Sequence, residues 1–189
     1  MCLVGGGYLD TKSVLFKPLD DIILDEDEFV VFSWEGNPRG LYEGYGKHDL
    51  IDIGFEYQQW NIISCKHNNC LWDVILLVTK NIENYSSWRD GIGLLGVWKT
   101  TGPIPYTNAI SNSKFNAKVR FAGNNESNGV FYRNDEKYKI RITANHYSKN
   151  VEPLIIGNVF YMKSLKCIFF SIRISKAVYR RLLRLLSAQ

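Results

Sequence analysis

The chain has 189 residues, of which 46% are hydrophobic and 22% charged, as in a typical single globular domain. No apolar run reaches the ~18–20 residues of a membrane-spanning helix. The start, MCLVGGGYLD, lacks the basic region and apolar core of a signal peptide. A cytoplasmic protein that does not bind membranes is therefore expected. Its four cysteines are expected to be reduced, since a chain of this length can bury a core without disulfides.

Charge is distributed unevenly along the chain. Residues 1–60 carry 12 acidic and 4 basic side chains, a net charge of −8. Residues 114–189 carry 4 acidic and 15 basic side chains, a net charge of +11. This asymmetry favours a polyanion-facing surface formed by the C-terminal part. In the alternative interpretation, the acidic and basic parts neutralise each other in the fold.

The first half of the chain predicts an N-terminal extension followed by short strands. Residues 1–27 are Gly-rich and then acidic, and we interpret them as an arm or extension. FVVFSW at 29–34 and WNIIS at 60–64 are strand-like runs, the first of them ended by turn residues. The continuous apolar run at 72–79 predicts a strand buried on both faces. Residues 92–100 predict a further strand.

The second half predicts a proline-containing loop, more strands and a final helix. GPIPYTN at 102–108 is interpreted as a loop, and 114–121 alternates as a half-buried strand should. Strands are also predicted at 138–143 and 167–174, and an amphipathic helix from Lys176. Several short strands with few helices predict an α+β fold, a small mixed β-barrel flanked by a few helices.

Motifs for catalysis are weak. Cys65 and Cys70 flank His67, but a zinc site normally has four N or S ligands in two close pairs. The sequence has no G-x-S-x-G elbow, no Walker lysine and no dinucleotide-binding loop. We therefore expect no metal, no cofactor, no catalytic residue and no enzymatic activity. A cysteine-dependent enzyme using Cys2 or Cys65 stays open as an alternative.

Aromatic side chains are the remaining chemical signal. Near the predicted strand ends and loops lie Trp34, Trp60, Trp88, Trp98 and Tyr106. Stacking a base on such a ring contributes ~1–3 kcal/mol, and two facing rings can hold a flipped base between them. The simpler interpretation is that these rings fill the core.

The order of elements from residue 28 onward resembles the PUA-like superfamily, in particular its EVE and YTH domains. The segments that carry the resemblance are FVVFSW, Trp60, DVILLV at 73–78, GLLGVWKTTGPIPYTNAI, FNAKVRF at 115–121 and ISKAVYRRLL at 174–183. Members of these branches bind modified or flipped bases. The resemblance implies a PUA-like barrel over residues 28–189 that recognises a methylated adenine or cytosine without catalysis of its own.

The resemblance also implies which residues bind the base. By position they are Trp60, Tyr106, Trp98, Trp34 and Ser33. Phosphates would be bound by basic residues of the C-terminal part: Lys114, Lys118, Arg120, Arg133, Lys137 and Arg141.

A related domain precedes the motor of McrB-type modification-dependent restriction proteins. The resemblance therefore implies DNA rather than RNA as the partner, with a motor or nuclease domain or subunit outside this sequence. A protein-interaction module without nucleic-acid binding is the alternative.

Overall fold

The computed structural model describes residues 1–36, 43–132, 150 and 152–155. Its strands are β1 (Gly6–Leu9), β2 (Ser13–Leu15), β3 (Phe29–Ser33), β4 (Asn61–Ser64), β5 (Val119–Asn124) and β6 (Val130–Tyr132). Its helices are α1 (Asn69–Glu83), α2 (Ser87–Asp90), α3 (Gly93–Thr100) and α4 (Pro103–Ser111). The fold is mixed α+β, as predicted. The predicted strands at 138–143 and 167–174 and the final helix lie outside the described residues.

The strands form two small sheets. The larger has the order β1-β4-β3-β5, and β2 pairs with β6 in the smaller. Strand β3 is antiparallel to β4 and parallel to β5, with a register shift between Val31 and Ser33. Within the described ranges the two sheets do not close into the predicted barrel.

Strand β3 separates two hydrophobic cores. Because side chains alternate along a strand, Phe29 and Val31 lie on one face and Val30 and Phe32 on the other. The first core adds Cys70, Leu71 and Val74 of α1 and Tyr106, Ala109 and Ile110 of α4. The second adds Ile22, Ile63 and Val130. The strand predictions at 29–34 and 60–64 are confirmed by β3 and β4.

The strand predicted at 72–79 is wrong, because this segment belongs to α1. Asn68 caps that helix, its Oδ1 accepting a hydrogen bond from Leu71 N at 2.9 Å. The run has apolar side chains on both sides of the helix, because Val74 packs in the core while Trp72 and Leu76 are exposed.

Two further secondary-structure predictions are wrong because the segments are helical. Residues 93–100 form α3 rather than the strand predicted at 92–100, and the predicted loop at 102–108 lies mostly in α4. Pro103 occupies the start of α4, where its missing N–H would have no helical partner anyway.

In the described part of the chain, no helix combines the length and apolar character that crossing a membrane would require.

The sequence predicts an arm or extension over residues 1–27. In the structure this segment contributes one strand to each of the two sheets. Strand β1 is antiparallel to β4, and β2 is antiparallel to β6. Gly5, with φ +73°, approaches the chain so closely that a Cβ there would lie 2.7 Å from Lys66 N.

The acidic run at 25–28 binds the start of the C-terminal basic part. Arg120 donates to both carboxylate oxygens of Asp27 at 2.6 Å, and also to Ile22 O at 2.8 Å. Lys118 Nζ lies 2.6 Å from Glu28 Oε1. The two Arg120 hydrogen bonds hold the pKa of Asp27 below its ordinary value. At these pairs the acidic and basic parts do neutralise each other.

Asp27→Asn should lower the free energy of unfolding at neutral pH by ~1–3 kcal/mol, because Arg120 loses its charged partner. The lowered pKa means that the wild-type carboxylate stabilises the fold above the unfolded value of 3.8. That contribution is lost as the pH falls from this value through the folded-state pKa. Urea unfolding should show that the free energy of unfolding falls more steeply with decreasing pH in this range for wild type than for Asp27→Asn. Asp25→Asn, at an exposed position, is the control, and equal losses in both variants would contradict the assignment.

Candidate functional site

Four aromatic rings meet at one end of the main sheet, and we call them the aromatic cluster: Trp34, Tyr45, Trp60 and Tyr132. Trp34 directly follows β3 and Trp60 directly precedes β4, so antiparallel pairing brings them together. Their ring centroids are 6.0 Å apart, and Tyr132 lies 5.0 Å from Trp60 and 6.1 Å from Trp34. Tyr45 lies 5.8 Å from Trp34, edge to face.

One side of the aromatic cluster is buried in the protein, and the other side is exposed to solvent. Trp34 is 8% exposed, Trp60 and Tyr132 are partly buried, and Tyr45 is 55% exposed. Such a gradient gives rings that are held in place by the protein yet present apolar surface to solvent. A flat ligand could stack on that surface.

Glu56 fixes the buried ring of the cluster. Its Oε1 accepts a hydrogen bond from Trp34 Nε1 at 2.6 Å, and its Oε2 lies 2.9 Å from His48 Nε2. The His48 ring in turn packs edge to face on Trp98 of α3, with centroids 4.8 Å apart. One carboxylate thus orients Trp34 and links it through His48 to Trp98.

Gly46 packs closely against Trp34 and Glu56. Its O accepts a hydrogen bond from Glu56 N at 2.7 Å, and its φ is +73°. A Cβ at this position would lie 2.6 Å from Trp34 Cδ1 and 2.8 Å from Glu56 Cγ. Any side chain here would displace the ring or the carboxylate.

A buried amide network sets the spacing of the strand ends beneath the cluster. Asn125 Oδ1 accepts from Gln58 Nε2 at 2.7 Å, and Gln58 Oε1 accepts from Asn61 Nδ2 at 3.0 Å. Asn125 also donates to Val130 O at 2.6 Å, and Gln58 N donates to Phe32 O at 2.8 Å. All three amide side chains are at most 1% exposed, so these bonds are shielded from water. They tie the ends of β3, β4 and β6 together.

The structure brings together some of the predicted base-binding residues. Trp34 and Trp60 are neighbours in the cluster, and Trp98 is linked to Trp34 through His48 and Glu56. Ser33 is 1% exposed, and its Oγ accepts a hydrogen bond from Glu35 N at 3.3 Å. Ser33 therefore lies in the interior, below the rings.

Tyr106 lies elsewhere. It belongs to α4, is 3% exposed and packs edge to face on Phe29 in the first core. Trp60 packs against the second core, on the opposite face of the sheet. The two rings therefore do not face each other, which corrects the prediction that Trp60 and Tyr106 bind the same base. Burial strongly raises the pKa of the Tyr106 hydroxyl.

Sequence reasoning missed four residues of this region: Tyr45, His48, Glu56 and Tyr132. The pairing of Glu56 with Trp34 spans 22 residues and follows no local pattern. Tyr132 could have been found, since it ends the short strand-like segment VFY after a Gly-containing turn.

The predicted phosphate-binding residues are only partly available. Lys118 and Arg120 are paired with Glu28 and Asp27. Lys114 is exposed, and its ammonium lies 5.0 Å from the centroid of the Phe115 ring. Three further predicted residues lie outside the described ranges: Arg133, Lys137 and Arg141.

Two cysteines of the cysteine-dependent alternative, Cys2 and Cys65, lie near Asn68. The Cys2 thiol lies 3.8 Å from Asn68 O, and Asn68 Nδ2 lies 4.0 Å from Cys65 Sγ. Burial raises the pKa of the Cys70 thiol. In residues 1–36 and 43–132, no three His, Cys, Asp or Glu side chains are grouped as a metal site requires.

Comparison with known proteins found no matching family model, no matching curated protein and no matching solved structure. The resemblance to the PUA-like superfamily therefore stays a prediction. Two of the segments that carried it as strands, at 73–78 and 93–100, are helices in this structure.

Gly46→Ala should destabilise the protein more than Gly44→Ala does. Both glycines have positive φ, +73° and +79°, so both variants carry a backbone penalty of ~1–2 kcal/mol. Only at Gly46 does the new methyl group meet Trp34 and Glu56, which should add ~1–3 kcal/mol. Urea unfolding followed by tryptophan fluorescence measures both losses. Equal losses would show that Gly46 does not hold the Trp34 ring.

Proposed function

We propose that this protein is a non-catalytic nucleic-acid-binding domain that recognises a modified, flipped base, a methylated adenine or cytosine. The observation that carries the proposal is the aromatic cluster, four rings each within 6.1 Å of a neighbour at one end of the sheet. Base stacking on an aromatic ring contributes ~1–3 kcal/mol. Rings already fixed by the protein lose little side-chain entropy on binding.

The ring spacing determines how such a base would stack. A base held between two parallel rings needs them about 7 Å apart, twice a ~3.5 Å contact distance. Trp34 and Trp60 are 6.0 Å apart and tilted by 38°. The base therefore stacks on the outer side of the cluster, against Trp60 and the exposed Tyr45, with Trp34 as support.

The cluster also contains a polar group that could read the edge of a base. Within the described ranges, Trp60 Nε1 is buried and has no hydrogen-bond partner. A buried unpaired donor costs ~1–3 kcal/mol, so an acceptor on the base that reached this N–H would remove the penalty. Because this N–H lies in the plane of the indole, a base stacked on the face of Trp60 would not reach it, so the hydrogen bond and stacking on Trp60 are alternative modes of binding.

The remaining features of the proposal follow the resemblance and the composition. The nucleic acid is DNA rather than RNA, the site of action is the cytoplasm, and a motor or nuclease lies outside this sequence. Among the described basic residues predicted for phosphates, Lys114 alone is not paired with a carboxylate. Attraction to the phosphate backbone in this part of the chain is therefore modest.

Trp60→Ala should weaken binding of a modified oligonucleotide about tenfold or more, because it removes a stacking surface. Fluorescence anisotropy with labelled strands carrying N6-methyladenine, 5-methylcytosine or no modification measures this. Trp88→Ala is the matched control, since Trp88 is 52% exposed on α2, outside the cluster. Wild type should prefer one modified strand, and Trp88→Ala should bind it equally well. Equal affinity for modified and plain strands, or equal losses in the two variants, would refute the proposal.

A protein-interaction module is the second candidate, favoured by the outer side of α1. Four large apolar residues share an arc of that helix at 100° per residue: Trp72, Ile75, Leu76 and Ile82. They are 38–53% exposed. Failure to bind any oligonucleotide, together with self-association that Leu76→Lys abolishes in sedimentation experiments, would favour this candidate.

A further inference from the structure

A pocket of about 350 Å³ lies where the end of α1 meets α2 and α3. Its charged lining residues are Lys80, Arg89, Lys99 and Asp90. No member of the aromatic cluster lines it, so it is separate from the site proposed for the base. Its volume is at the lower end of the ~300–1,000 Å³ range of small-molecule sites.

The backbone carbonyls at this pocket, which would attract a cation, already have partners. Asn84 Nδ2 donates to Lys80 O at 2.8 Å, and Asn81 Nδ2 donates to Thr100 O at 3.3 Å. Arg89 Nη2 donates to Asn84 O. The side-chain amides and the guanidinium therefore neutralise the negative ends of α1 and α3.

The one carboxylate in the lining is also occupied. Arg89 donates from Nε to Asp90 Oδ1 and from Nη2 to Asp90 Oδ2, at 2.9 Å each. Ser86 N donates to Asp90 Oδ2 at 2.8 Å. Asp90 and Arg89 thus satisfy each other and leave the pocket with the charges of two lysines.

Lys80 and Lys99 supply those charges. Within the described ranges neither ammonium has a carboxylate oxygen within 4.0 Å. The pocket therefore has a net charge of +2 from its lining, and the ammonium groups of Lys80 and Lys99 are not paired with a carboxylate in the described ranges. This pattern favours an anion over a metal ion.

Thr100 adds a neutral donor. The residue is 2% exposed in the pocket lining, and in the described part of the chain its hydroxyl has no hydrogen-bond partner. Leaving a buried hydroxyl unpaired is unfavourable, so a ligand oxygen that reached it would stabilise the complex.

We propose that this pocket binds a small phosphate monoester, whose dianion bridges Lys80 and Lys99 and accepts a hydrogen bond from Thr100. Two ammonium groups match a dianion better than the single charge of a carboxylate or phosphodiester. The volume leaves room for a small organic group beside the phosphate. This site is independent of base recognition.

Titration calorimetry with ribose 5-phosphate tests the proposal, with inorganic phosphate, acetate and a short single-stranded oligonucleotide as further probes. Ribose 5-phosphate should bind saturably and inorganic phosphate more weakly, while acetate should not bind. Lys80→Gln and Lys99→Gln should each weaken binding about tenfold, as expected for losing one charge-assisted hydrogen bond. Thr100→Val removes only the hydroxyl and should weaken binding several-fold without lowering the urea midpoint.

Two controls separate this site from the others. Lys66→Gln changes an exposed lysine outside the pocket, and Trp60→Ala changes the aromatic cluster, so both should bind ribose 5-phosphate as wild type does. The absence of saturable binding, or an equal loss with Lys66→Gln, would overturn the proposal. So would oligonucleotide binding that Lys80→Gln and Lys99→Gln weaken while ribose 5-phosphate does not bind, because the lysines would then contact a phosphodiester.

Discussion

The complete burial of β3 is the constraint on which the rest of the described structure depends. Every side chain of Phe29–Ser33 is at most 1% exposed, so both faces of the strand are covered. Helices α1 and α4 cover one face, while Ile22, Ile63 and Val130 cover the other. Burying a large apolar side chain contributes ~1.5–3 kcal/mol, and β3 contributes four of them to two cores at once. The helical layer and the small sheet are therefore stabilised through the same four residues of β3.

The position of the aromatic cluster follows from this constraint. Trp34 leaves β3 just beyond the register shift, and its O accepts a hydrogen bond from Asn124 Nδ2 at 3.2 Å. Its backbone is thus fixed by β5 and its ring by Glu56. The Trp34 ring is thus fixed without a ligand, so it would lose little side-chain entropy if a base stacked on the cluster. The cluster is an extension of the core rather than a set of loop residues.

The sequence predicts the strands of this fold better than its helices. The runs at 29–34 and 60–64 are short, β-rich and bounded by polar or turn residues, so periodicity and flanks agree. The run at 72–79 is apolar without a clear period, and such a run fits a buried strand as well as a helix. Asn68 as a cap and Pro103 as a first helical residue were local signals for α1 and α4. The contact of Glu56 with Trp34 left no local signal, because its partners meet only in the folded chain.

The charge asymmetry of the sequence has a different meaning once the ion pairs are known. The exposed pair of Lys118 with Glu28 contributes little to stability, whereas Asp27 is 3% exposed at its side chain and needs Arg120 as a partner. Lys118, just before β5, and Arg120 of β5 thus hold the acidic run against the sheet. A charge count along the chain does not give the field at a surface, because only unpaired charges attract a polyanion. The proposed recognition at the aromatic cluster, whose Trp34 ring donates to the carboxylate of Glu56, would therefore depend more on stacking than on phosphate attraction.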